Sequence, residues 1–211
     1  EEVIVLNVAK QVRDLLEARG VDVIMTRETD THLSSDYRGD LSARAAFATP
    51  ERNLCGSIHA NAATKPRANG IETFVFGQPL EQRLIDQAIE ENGGENRELG
   101  IELTNESIRF ANETSGLILR ETQLNYSQSL AHAVQRNLVS ATGAVDRGVK
   151  QSVYYVLKNA RTPAILVELG FVSNPDEGRR LNSADYQAKL ARALADGILE
   201  FLNNGGTLAR R

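Results

Sequence analysis

The chain has 211 residues, slightly more than one ordinary domain and well short of two, and its 41% apolar content is enough to bury a sizeable core. Its formal net charge of −4 argues against a partner gripped through a phosphate backbone. With 5% aromatic residues and no Trp, it also lacks the material for stacking single-stranded nucleic acid or sugars.

In chain order, Ile4, Val5, Val8, Val12, Leu15 and Leu16 recur at helical spacing, predicting a helix from Val3 to Leu16 that Gly20 ends. Val21 to Thr26 alternates and predicts a short strand, followed by a polar loop through Asp36. A second helix is expected from about Gly39 to Ala48, ending before Pro50, then strands from Leu54 to Ala60 and from Ile71 to Gly77. Gln78 to about Thr122 departs from this rhythm. It carries Gly93 and Gly94, many Glu and Asn, and weaker amphipathicity, and reads as an insertion with one or two short helices. A helix from Gln123 to Val139, strands from Ser152 to Leu157 and Ala164 to Leu169, and a long helix from Ala184 to Leu202 follow, with a frayed tail from Gly205. The alternation predicts an α/β fold, a three-layer sandwich with a twisted, mostly parallel sheet and helices on both faces, with residues 1–204 forming one domain.

No apolar run is long enough to span a membrane, and no signal segment stands in view. The lone Cys55 forms no intrachain disulfide and reads as a small buried hydrophobe.

Three places hold polar residues that packing alone does not call for. His59 ends a predicted buried strand and precedes a polar loop, where α/β folds set their ligands; a satisfied core histidine is the competing reading. Glu168 closes the most apolar strand. A buried carboxylate costs several kcal/mol unless paired or protonated, so it is either one partner of a salt bridge or a catalytic or metal-linked acid. Glu1 and Glu2 open the first helix, where the helix dipole alone favours acids. Together these residue types suit a catalytic zinc, which takes three protein ligands and leaves one position open, with a carboxylate opposite as general base. His32, in the polar loop, and His132, mid-helix, have no partner at metal spacing and read as surface or helix-face residues.

Ser57-Ile58-His59-Ala60-Asn61-Ala62 and Pro163 to Pro175 closely resemble two signatures of the zinc-dependent N-acetylmuramoyl-L-alanine amidases of the bacterial cell wall. The likeness continues through Val23 to Arg27, Leu41 to Arg44, Gly70 to Thr73 and Arg147 to Lys150, and so covers nearly the whole chain outside the insertion. It implies hydrolysis of the amide between N-acetylmuramic acid and L-alanine, in wall remodelling or daughter-cell separation. It implies a Zn2+ ion held by a His, a Glu and a second His. The second His falls on His59, the Glu on Glu1 with Glu2 one place off, and the catalytic Glu on Glu168; Asn61 falls beside the substrate groove. The family's first His lies on a Gly-His-Gly-Gly segment after an opening strand, which this sequence does not contain, so that segment is expected upstream of residue 1. Some relatives carry, in the insertion, a helix that blocks the metal through a Glu preceding an Asn until a partner protein displaces it. Glu91-Asn92 is the matching pair, and it implies an activator as well as the peptidoglycan substrate. The resemblance places the protein in the periplasm or outside the cell. Two competing functions are a carboxypeptidase-like zinc hydrolase, for which Arg44 or Arg161 would hold a terminal carboxylate, and a metal-free module that binds peptidoglycan.

Overall fold

A computed structural model describes residues 2–62, 67–113 and 118–205. Helix α1 (Glu2–Glu17) buries Ile4, Val8, Val12 and Leu16, one residue per turn, and Gly20 at φ 79° makes the left-handed turn that ends it. Helix α2 (Tyr37–Ala45) starts where the Asp36 carboxylate accepts a hydrogen bond from Gly39 N at 2.7 Å. Four strands, β1 (Cys55–Asn61), β2 (Ile71–Phe76), β3 (Asp146–Ser152) and β4 (Ala164–Phe171), form one sheet in the order β1-β4-β2-β3. β1 runs parallel to β4 and β2 parallel to β3, while β2 and β4 are antiparallel. The remaining helices are α3 (Gln82–Gly93), α4 (Arg97–Glu113), α5 (Ile118–Thr142), α6 (Tyr155–Asn159), α7 (Pro175–Leu181) and α8 (Ala184–Asn203).

Strand alternation separates two cores. Ile71, Val75, Ile165, Val167 and Leu169 face a cluster built with α1, α5 and α8. Phe74, Phe76, Ala164 and Leu166 face a second cluster completed by Leu84 and Ala88 of α3, Ala111 of α4 and Leu157 of α6. Helices therefore cover both faces, as the α/β pattern anticipates.

Three expected elements differ in the structure, and one helix is additional. Val21 to Thr26 is not a strand: no ladder partner pairs with it among the described residues, and Val21 and Val23 reach the core as packed, irregular chain. Ser152 to Leu157 is not a strand either. β3 ends at Ser152 and the chain turns into α6, while the strand itself occupies the polar stretch before it. The segment 78–122 holds two substantial helices, of 12 and 17 residues, and the start of α5. The α3 and α4 backbones meet at Gly93 and Gly100, where a Cβ on Gly100 would lie 2.1 Å from the Ile89 carbonyl oxygen. Finally, α7 was not expected. Its Pro175 start is capped by the Asn174 side chain, and its Glu177 carboxylate accepts from Gly70 N and Phe171 N, tying the entry of β2 to the end of β4. Gly205 ends the described chain, so the rest of the expected tail lies outside the described residues.

Candidate active site

The register of the sheet assembles the polar residues. His59 on β1 stands opposite Glu168 on β4, and Glu168 stands opposite Glu72 on β2. Directly opposed residues project to the same side of a sheet, so these three side chains form a row across three adjacent strands. The row lies on the face of the second core, at the end covered by α3.

His59 is largely shielded, its side chain 13% exposed. Ser57, two residues earlier on the same side of β1, pairs its Oγ with His59 Nε2 at 2.9 Å, which orients the ring and leaves Nδ1 towards α3. There Glu91 brings Oε1 within 3.4 Å of Nδ1. The turn of α3 that carries Glu91 is fixed by its neighbours. The Tyr37 hydroxyl donates to Glu91 O at 2.8 Å. Buried Asn92 donates to Thr104 Oγ1 and Val153 O, and accepts from Tyr155 N at 2.7 Å.

Glu168 is 4% exposed, between the two other members of the row. Tyr154, buried nearby, has its phenol pushed well above the usual range, first by burial and then by the negative charges of Glu168, Glu91 and Glu72. It stays protonated at any physiological pH. Cys55, at the start of β1, is partly rather than fully buried, packed against the second core, and burial of its thiol raises it to about 11, which leaves it unreactive.

Glu72 is fully buried, a position that the sequence reading did not single out. Its carboxylate contacts Lys150 Nζ and Arg147 Nε, the latter at 3.1 Å, and accepts from Asn61 Nδ2 at 3.2 Å; Arg83 of α3 comes within 4.0 Å. The signal was available: Glu72 shares its strand face with Phe74 and Phe76, so it is a carboxylate on a core-facing position. Lys150 and Arg147 were less visible, because nothing in the polar run Asp146 to Ser152 marks it as a strand beside β2.

The structure therefore brings together His59, Glu168, Asn61 and Glu91. Glu1 lies outside the described residues, and Glu2 is exposed at the start of α1. Among the described residues, no group of three His, Cys, Asp or Glu side chains is arranged to hold a metal. The donor chemistry that is present, an oriented imidazole with a carboxylate 3.4 Å away, fits zinc as a partial set. Arg44, a candidate for holding a terminal carboxylate, is instead paired with the buried Asp40, and Arg161 is exposed. No described helix is long and apolar enough to cross a membrane.

Residues 1–200 match the family model described as N-acetylmuramoyl-L-alanine amidase. The chain is 25% identical to N-acetylmuramoyl-L-alanine amidase AmiA of Escherichia coli, over 96% of this chain and 68% of that protein. It is 28% identical to the amidase LytC of Bacillus subtilis, over 95% of this chain but only 31% of the relative. Among solved structures, it is similar to the CwlD amidase of Clostridioides difficile in complex with the GerS lipoprotein. That match has a TM-score of 0.70 and 25% identity, and covers 97% of this chain and 87% of that one.

Proposed function

The chain belongs to the N-acetylmuramoyl-L-alanine amidase family, and on that premise we propose a zinc-dependent peptidoglycan amidase in which Glu168 moves the proton and Glu91 holds the site shut. The reaction of the family is hydrolysis of the amide joining the muramoyl group to L-alanine. The observation that carries the reading is the register of β1 and β4, which sets His59 opposite Glu168 in a largely buried row.

When bound, zinc supplies Lewis acidity that polarises the amide carbonyl and brings the pKa of water to about 7. His59 and Glu1 are the residues of this chain that would hold it, with Ser57 orienting the imidazole. Glu168 accepts a proton on its carboxylate from the attacking water and delivers it to the departing alanine nitrogen. The low exposure of Glu168 excludes bulk water from competing for that proton. Asn61 borders the groove and, by donating to Glu72, steadies the end of β1.

The contact of Glu91 with His59 supports a closed resting state: the carboxylate occupies the approach to the imidazole. A partner protein that withdraws α3 would open it. The substrate is cell wall, so the enzyme works in the periplasm or outside the cell, in wall remodelling or the separation of daughter cells.

Removing metal with a chelator should abolish release of stem peptides from purified wall, and added zinc should restore it. Cleavage that persists after complete chelation overturns the zinc reading. Replacing Glu91 with Ala should raise basal turnover severalfold without an activator, measured on the same substrate. An unchanged rate would remove Glu91 from any part in closure.

A further inference from the structure

Glu72 is surrounded by more positive charge than one buried carboxylate needs. Lys150 and Arg147 both contact it, Arg83 approaches to 4.0 Å, and Asn61 adds a neutral donor. A single well-placed cation compensates a buried carboxylate. The cations here are not sealed in with it: the side chains of Arg147, Lys150 and Arg83 are 24%, 19% and 44% exposed, whereas Glu72 is at 0%. Arg83 shares its charge with Glu81 at 3.7 Å, but Arg147 spends its other contacts on the Asn69 carbonyl and the Phe171 ring, neither of which is charged. Two part-exposed cations, Arg147 and Lys150, therefore stand together over one fully buried carboxylate, in a chain whose overall charge is negative.

Its location gives the excess a use. Lys150 and Arg147 belong to β3, which follows β4 and β2 in the sheet order. At about 4.8 Å per strand, β3 lies about 10 Å from the strand that carries Glu168. An extended peptide advances about 3.4 Å per residue, so this distance is the reach of two or three residues. We infer that Arg147 and Lys150 form a subsite for a carboxylate on the second or third residue of the peptide stem, on the leaving side of the scissile amide. The inference rests on Glu168 marking the reacting centre. Glu72 is the buried counter-charge that holds the two cations in place and aims their remaining donors at the groove. Charge-assisted hydrogen bonds of this kind discriminate a carboxylate from its amide by about tenfold or more.

The full chain carrying E91A and E168Q, which lacks the carboxylate beside His59 and does not cut the ligand, should be titrated calorimetrically. The two ligands are a muramoyl tripeptide with free carboxylates and the same compound with those carboxylates amidated. The acid should bind about tenfold more tightly or better. Adding R147Q or K150Q should erase the preference, and R147K should restore much of it. Equal affinity for the two ligands in the parent, or no measurable binding of either, overturns the subsite without requiring any further variant to fold. A preference that survives both R147Q and K150Q also overturns it. Cleavage by the chain carrying E91A alone, with Glu168 retained, is scored separately. If it cuts wall and the parent binds both ligands equally, only the subsite fails; if it cuts neither ligand, the reaction assignment fails while the binding comparison still reads the subsite.

Discussion

Replacing Glu168 with Gln should lower the turnover of wall hydrolysis by about two to four orders of magnitude, the usual worth of a positioned general acid–base group. The side chain keeps its shape and its place opposite His59 and Glu72, so β4 should pair as before. What is lost is the ability to accept a proton from water and return it to the leaving nitrogen. The measurement is steady-state kinetics on soluble muropeptide, with metal content and the thermal unfolding midpoint recorded on the same sample. A variant that retains its metal and melts like the parent yet turns over slowly isolates the proton step. If it hydrolyses at the parent rate, Glu168 has no part in the chemistry.

Replacing Glu72 with Leu should act mainly on stability. The substitution leaves Lys150 and Arg147 beside a buried apolar group with no counter-charge, a change that typically costs about 3–5 kcal/mol when the stranded charge is itself buried. Both cations keep some contact with water, which draws the expected loss to the lower end, about 3 kcal/mol. Urea unfolding of the parent, E72L, K150M and the E72L/K150M pair closes a double-mutant cycle. Because the pair removes one stranded cation along with the carboxylate, it should be less unstable than the sum of the single changes. Strict additivity would mean that the contact contributes nothing through its charge.

The helices with regular apolar spacing were readable because burial at every third or fourth position leaves a direct trace, as Ile4, Val8, Val12 and Leu16 do in α1. β4 was readable for a different reason: all eight of its residues are buried, so its continuous apolar run, with Glu168 as the exception, marks both a central strand and a candidate catalytic group. Edge structure was harder to read. β3 is a polar strand at the end of the sheet, and its tie to β2 is made by main-chain hydrogen bonds that any sequence can form. Val21 to Thr26 shows the converse, since alternation reports which side chains pack but not whether a neighbouring strand completes a ladder. The grouping of Glu72 with Lys150 and Arg147 depends on register between residues more than 70 positions apart in sequence, which spacing along the chain does not encode. The pairing of His59 with Glu91 was reachable only through the family resemblance, because it requires knowing where α3 lies over the sheet.

The touching glycines at positions 93 and 100 have a mechanical consequence. Where two helices meet main chain to main chain, there is no layer of flexible side chains between them to slide over. The hairpin of α3 and α4 is therefore stiff, and any force that draws Glu91 away from His59 must lift both arms together. Contacts on both arms resist such a lift: Tyr37, Val153 and Tyr155 hold the near arm at Glu91 and Asn92, and on the far arm Glu102 meets Arg38 and Glu106 meets Lys158. A pull on that outer arm would therefore be carried inwards by the rigid pair to the contact of Glu91 with His59.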